Sequence, residues 1–131
     1  MASPILSPIL TAAAATGAGN PMLVADSENI QLQVSSDNNA DLIIKFQGSM
    51  SKDPPDFGAA ATTINHWDYL SSYDYAGTGT ITAGATGITF SGTDFCKNIL
   101  VNVDGMVWLN CVVTTYNAGD VTVKGVTFNN Q

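Results

Sequence analysis

Apolar and polar residues alternate along most of the chain in short runs bounded by Gly, Asn, Asp and Ser. Asn29-Ile30-Gln31-Leu32-Gln33-Val34 follows the period of two that marks a strand with one buried face. Residues 41–46, with the run Leu42-Ile43-Ile44, predict a strand covered on both faces. Between them Ser35-Ser36-Asp37-Asn38-Asn39 has the composition of a turn. Residues 48–61 predict the longest loop, with one helical turn at most over 57–64. Residues 66–75, rich in Trp and Tyr, predict another strand, as do 78–82 and 87–90. Asp104-Gly105 predicts a type I′ hairpin turn joining 98–103 to 106–113. That hairpin would pair Val103 with Met106, Val101 with Trp108 and Ile99 with Asn110, and both of its faces are largely apolar. Asn117-Ala118-Gly119 predicts a further turn with Gly119 left-handed, before strands over 121–123 and 126–128. About eight short strands at 8–12-residue spacing give an all-β domain, a β-sandwich or jelly roll.

Residues 1–21 differ in kind from the rest. Ser3-Pro4-Ile5-Leu6 repeats directly as Ser7-Pro8-Ile9-Leu10, and a breaker run, Gly17-Ala18-Gly19-Asn20-Pro21, follows. Each Pro fixes φ near −65° and holds its predecessor extended. The segment therefore reads as an extended apolar arm ahead of a β-sandwich domain over 22–131. Solvated tails are poor in large aliphatic side chains, whereas Ile5, Leu6, Ile9 and Leu10 invite packing on a partner or on the chain's own body. With Met22 at the domain's start, these four residues are candidate partner contacts. Trp67, Tyr69, Tyr73 and Tyr75 are also candidates, because they fall on alternate positions of one stretch and would make one side aromatic. A core face is the competing reading of that row.

The chain has 131 residues, enough for one domain, and only 11% of them are charged. Four Lys, no Arg and a net charge of −7 leave no basic patch for phosphates, so a nucleic-acid partner is not expected. Anionic membrane surfaces are disfavoured for the same reason, and no apolar run nears the ~20 residues of a spanning helix. Pro4 and Pro8, with no positive charge before them, argue against a cleaved signal peptide. Cys96 and Cys111 would lie diagonally across the expected hairpin, beyond comfortable disulfide reach. Two free buried thiols are expected, as suits assembly in a reducing cytoplasm.

Candidate chemistry is sparse. His66 is the only histidine. With Asp68 on the same strand face it could form two parts of a relay, but no Gly-x-Ser-x-Gly nucleophile accompanies it. Asp37, Asn39 and Asp41 open like a calcium loop, yet the sixth and twelfth places hold Leu42 and Gly48 where Gly and Glu are needed. No paired carboxylates stand in a distinctive motif, and the Gly-rich run over 77–87 precedes no helix. The sequence therefore gives no catalytic residue, no metal ligand and no cofactor.

The residues Lys45-Phe46-Gln47-Gly48-Ser49, Pro55-Asp56-Phe57, Trp67-Asp68-Tyr69, Asp104-Gly105 with Trp108, and Ala118-Gly119-Asp120-Val121-Thr122-Val123 give the chain a texture over residues 40–130. That texture resembles the head decoration, or cement, proteins of tailed bacteriophages. The resemblance implies a non-enzymatic subunit on the outer capsid surface, bridging neighbouring major capsid proteins. It also implies contact with copies of itself, as a dimer or trimer, assembly in the host cytoplasm, and an arm reaching across an adjacent subunit. The rival expectations are a phage tail or fibre module, or a carbohydrate-binding module using Trp67 to Tyr75.

Overall fold

The alternating pattern is realised as ten strands, all paired antiparallel, in a computed structural model that describes residues 2–61, 64–77 and 81–130. In chain order they are β1 (Ala2–Ala13), β2 (Gly17–Ala18), β3 (Met22–Leu23), β4 (Asn29–Ser49), β5 (Asp68–Leu70), β6 (Ser72–Asp74), β7 (Ile81–Thr82), β8 (Ile88–Asn102), β9 (Trp108–Ala118) and β10 (Val121–Asn130). Among the described residues there is no helix. The chain is all-β, of sandwich type. Of the strand expected over 78–82, residues 78–80 lie outside the described residues.

Two strands dominate. The expected strands at 29–34 and 41–46 are one 21-residue strand, β4, and those at 87–90 and 98–103 belong to one 15-residue strand, β8. The first half of β4 lies between β10 and the second half of β8, giving a layer ordered β1-β10-β4-β8-β6-β7. The second half of β4 pairs with β9 on one edge, and with the start of β8 and then β5 on the other. β2 and β3 flank β9 in this second layer.

The change of layer happens at one corner. The β4–β8 register shifts between Ser36 and Asp41, and there Asn39 (φ 50°) and Gly92 (φ 81°) are left-handed. The residues that read as turns are bends inside continuous strands. Asn39 N–H is held by Asp94 Oδ1 at 2.9 Å, and Asn38 Nδ2 reaches Asp120 Oδ2 at 3.3 Å. Gly119 completes the corner with φ 79°, as its turn position predicts. A Cβ there would fall 2.5 Å from the Asn38 carbonyl oxygen, so no other residue fits. Tyr116 donates its hydroxyl to the Gly119 carbonyl at 2.9 Å.

The Asp104-Gly105 hairpin does not form. β8 pairs with β4 and β6, and β9 pairs with β2, β3 and β4, but not with each other. Gly105 is left-handed (φ 83°) while Asp104 is not, so the turn lacks the second positive φ of type I′. Asn102 Oδ1 instead accepts from Asp104 N–H at 2.9 Å, and Met106 N–H closes the turn on the Val103 carbonyl. Without the primed geometry the strands splay. Val101 goes to Ile30 and Ser72 in the first layer, and Trp108 to Leu23 and Ser49 in the second.

The core lies between the layers. Ile30, Leu32 and Val34 with Ile99, Val101, Val121 and Val123 face Leu42, Ile44 and Phe46 with Leu109, Cys111 and Val113. Met22 sits over Gly125, where a Cβ would lie 2.3 Å from its Sδ, so the second layer's edge packs directly on the first.

The arm, too, is part of the body. β1 is extended as the two prolines require, but it pairs with β10 from Ala2↔Asn130 to Ala13↔Val121. A bulge between Pro8 and Leu10 turns two consecutive side chains inward, so Ile9 and Leu10 are both buried in the chain's own core. Residues 2–21 are thus an edge strand and its connection, not a separate arm.

Candidate interaction surfaces

The nine candidate contacts divide sharply. Ile9, Leu10, Met22 and Trp67 are buried within this chain and offer no surface to a partner, which corrects their assignment. Ile5 and Leu6 remain exposed, at 46% and 58%. Tyr75 is exposed, and Tyr69 and Tyr73 are half-buried. The aromatic row is broken as well. Ser71 separates β5, on the second layer, from β6, on the first. Trp67 and Tyr69 meet edge to face at 5.0 Å in one place, and Tyr73 and Tyr75 at 5.8 Å in another. The alternation fails because the segment changes layers at Ser71, as β4 and β8 do at theirs.

Residues 50–61 and 64–67 cover the outer face of the second layer. They are stapled there by side chains bonding to their backbone. Gln47 Nε2 donates to the Phe57 carbonyl at 2.9 Å, Ser49 Oγ to His66 at 2.7 Å, and Trp108 Nε1 to Lys52 at 3.2 Å. Trp67 Nε1 closes the loop on Ala59 at 3.1 Å, and its ring packs on Phe57. Lys45 Nζ stands 5.1 Å above the Tyr69 ring, a cation–π contact. Gln47 and its cross-strand neighbour Asn110 are wholly buried here, and Gln47 Oε1 and both polar atoms of the Asn110 amide lack a protein partner. Beside this cover runs an open cleft of about 620 Å³ lined by Ser49, Met50, His66, Trp67 and Asp68. His66 is exposed at its rim, with φ 58°. Its backbone carbonyl accepts from Ser49 Oγ.

Several of the carboxylates gather at the ends of the sandwich. Asp26, Glu28 and Asp104 share one end, where they line a single shallow pocket. Asp94 and Asp120 at the corner accept from Asn39 N–H and Asn38 Nδ2, and Asp41 accepts from Asn117 Nδ2 at 3.2 Å. Asp37, Asn39 and Asp41 thus belong to a strand bend. No group of three or more His, Cys, Asp or Glu among the described residues is placed to hold a metal ion. Asp74 pairs with Lys97 Nζ at 2.9 Å. That hydrogen bond, with help from Ala76 N–H, holds the Asp74 carboxyl below its usual range against the opposing effect of partial burial. Both thiols are free, but only Cys111 is buried. Cys96 is exposed, contrary to expectation, because the hairpin that would have covered it is absent.

At its two ends the chain forms a two-stranded ribbon. β10 pairs with β4 only from Thr122 to Val126, whereas its pairing with β1 runs on through Thr127↔Ile5 to Asn130↔Ala2. Among the described residues no third strand lies beside this stretch.

The fold has a known counterpart. The chain is similar to the SPBc2 prophage-derived protein YomS, with a TM-score of 0.70 over 98% of this chain and 96% of that one. At 15% identity the likeness is one of fold. No protein-family model matches the sequence, and no curated protein matches it.

Sequence reasoning missed several exposed apolar residues: Leu23, Met50 and Ile81. Ile81 had a signal in its setting, an isolated large aliphatic among Thr and Gly, where a buried strand would carry more.

Proposed function

We propose that this chain is a non-enzymatic structural subunit of a phage particle, a decoration protein on the outer capsid surface that bridges neighbouring major capsid subunits. The observation that carries the reading is the terminal ribbon. Its strands have unpaired backbone edges and an exposed Ile5, and a ribbon of two strands is marginal in water by itself. Adding a strand from a neighbouring subunit would satisfy those edges. Pro4 and Pro8 each remove a donor, which restrains indiscriminate edge pairing. The fold shared along nearly the whole chain with a prophage-derived protein supports the setting. Asp41, Asp94 and Asp120 are engaged at the strand bend and Asp74 in an ion pair, which fits a structural role for these carboxylates.

In this reading the arm that the sequence leads one to expect survives in shorter form, as residues 2–5 held out on β10. A subunit that binds only the assembled shell stabilises it by mass action, by about 2.7 kcal/mol at a hundredfold excess over Kd. The test is co-sedimentation of the purified chain with empty capsid shells, and separately with tails, of the phage that encodes it. Saturable binding to shells, a raised shell melting temperature, and loss of both with Ile5→Asp at unchanged intrinsic Tm are expected. Binding to tails alone would move the subunit to the tail, and binding to neither would overturn the reading.

A further inference from the structure

The outer face of the first layer carries a row that the register sets in line across six strands. Leu6 on β1 stands opposite Val126 on β10, Val126 opposite Gln31 on β4, Gln31 opposite Leu100 on β8, Leu100 opposite Tyr73 on β6, and Tyr73 opposite Ile81 on β7. Residues directly opposite in a sheet share a face. Five of the six are apolar or aromatic, and none of the six is buried. The two ends are the most open, Leu6 at 58% and Ile81 at 65% exposure, while Val126, Leu100 and Tyr73 are half-buried. A groove of about 640 Å³ beside the row is lined by Leu6, Val126, Gln31 and Tyr75 with the amides of Gln33 and Asn98.

We propose that this face is a two-fold interface between two copies of the chain. Three features select a second copy over another protein. First, the two outer places at each end of the row match, an exposed aliphatic (Leu6, Ile81) and then a half-buried residue (Val126, Tyr73), about the central pair Gln31 and Leu100. Rotation by 180° about the middle of the row lays Leu6 of one copy against Ile81 of the other and the reverse, which is the reciprocity a two-fold contact demands. The same rotation carries the second copy's Ile81 to the groove beside Leu6. Second, the polar groups here are primary amides, which donate and accept equally and so complement themselves. Third, the chain's charge is −7, yet the charged side chain that neighbours the row on this face is Lys124, opposite Gln33. The carboxylates that gather at the two ends of the sandwich stay clear of it, so two acidic chains can meet here without opposing them.

The size is adequate for a modest dimer. Six strands at ~4.8 Å and about five residues at ~3.3 Å project ~400 Å² per copy. Side-chain relief raises the accessible area above that, into the low end of specific interfaces. A dissociation constant in the micromolar range is expected.

The dimer is independent of the capsid reading and fails separately from it. Sedimentation equilibrium of the full chain at high micromolar concentration should give a dimer. Gln31→Glu, a nearly isosteric change at an exposed central site, sets two carboxylates close to the axis and should weaken the dimer at least ~tenfold, while its circular dichroism and Tm stay those of the parent. In a Cys96→Ser background, mixing a Leu6→Cys chain with an Ile81→Cys chain under oxidation should give the mixed disulfide in preference to either self-linked product. A monomer at that concentration, a larger ring, a dimer indifferent to Gln31→Glu, or random cross-linking would each overturn the proposal. Shell binding by a chain that proves monomeric would leave the decoration role standing and remove this one.

Discussion

Cys111, with Leu109, Val112 and Val113 around it in sequence, is wholly enclosed between the layers, whereas Cys96, between Asp94 and Lys97, faces water. Burial pushes the Cys111 thiol well above its ordinary value, with a backbone hydrogen bond from Val112 opposing weakly. The consequence for stability has a definite sign. The folded state keeps the proton, whereas the unfolded thiol gives it up above about pH 8.5. The contribution is therefore complete below that pH and is lost as pH rises toward the folded value, by about 1.4 kcal/mol per unit. Urea titrations of the parent and Cys111→Ala check this. Between about pH 8 and 9.5 the parent should lose roughly 1 kcal/mol more than the variant, since every other titrating group is common to both. Equal losses would mean that the thiol ionises in place.

At the scale of elements, β1 is the clearest departure from what the sequence promises. Ser-Pro-Ile-Leu repeated twice is the same motif written twice, but the two copies have opposite fates because a bulge falls in the second. Ile9→Ala should cost 2–4 kcal/mol, the range for truncating a packed aliphatic, and Leu6→Ala within about 0.5 kcal/mol. Chemical denaturation of the two variants tests whether β1 is structural; equal, small effects would return it to the status of a loose arm. Much of the fold is legible in the sequence. Period-two alternation locates the strand at 29–34, short apolar and β-branched runs those at 41–46 and 121–123, and turn chemistry gives Gly119 its left-handed conformation. The joins are not legible. Asn39, Gly92 and Asp104-Gly105 have the chemistry of hairpin turns, but that chemistry specifies a local φ, and a bend within a strand or a crossing between layers needs the same φ. The site is less legible still. The pattern Trp67-x-Tyr69 and Tyr73-x-Tyr75 holds on either side of Ser71, and only the change of layer there divides it. The row from Leu6 to Ile81 draws one residue from each of six strands, so no stretch of sequence displays it.

For the molecule as a whole, the shared strands decide how it comes apart. A sandwich of two separate sheets can lose one before the other, but here β4 and β8 each contribute to both layers. Unfolding should be a single transition in urea, with Trp67 and Trp108 fluorescence, both reporting on the second layer, and far-ultraviolet circular dichroism, reporting on all strands, giving coincident midpoints. Separated midpoints would show the layers to be independent. The pairing of β1 with β10 joins opposite ends of the chain, which adds loop-closure entropy to the folding barrier and places folding on the slow, millisecond-to-second side.

The bend at Asn39 and Gly92 has a mechanical meaning too. Where two sheets merely lie on one another, a sideways load is resisted by oily contacts that can slide. In this molecule the load passes from one layer to the other along two peptide backbones, through covalent bonds. A particle that must withstand internal pressure would find in such a subunit a rivet whose shank cannot slip.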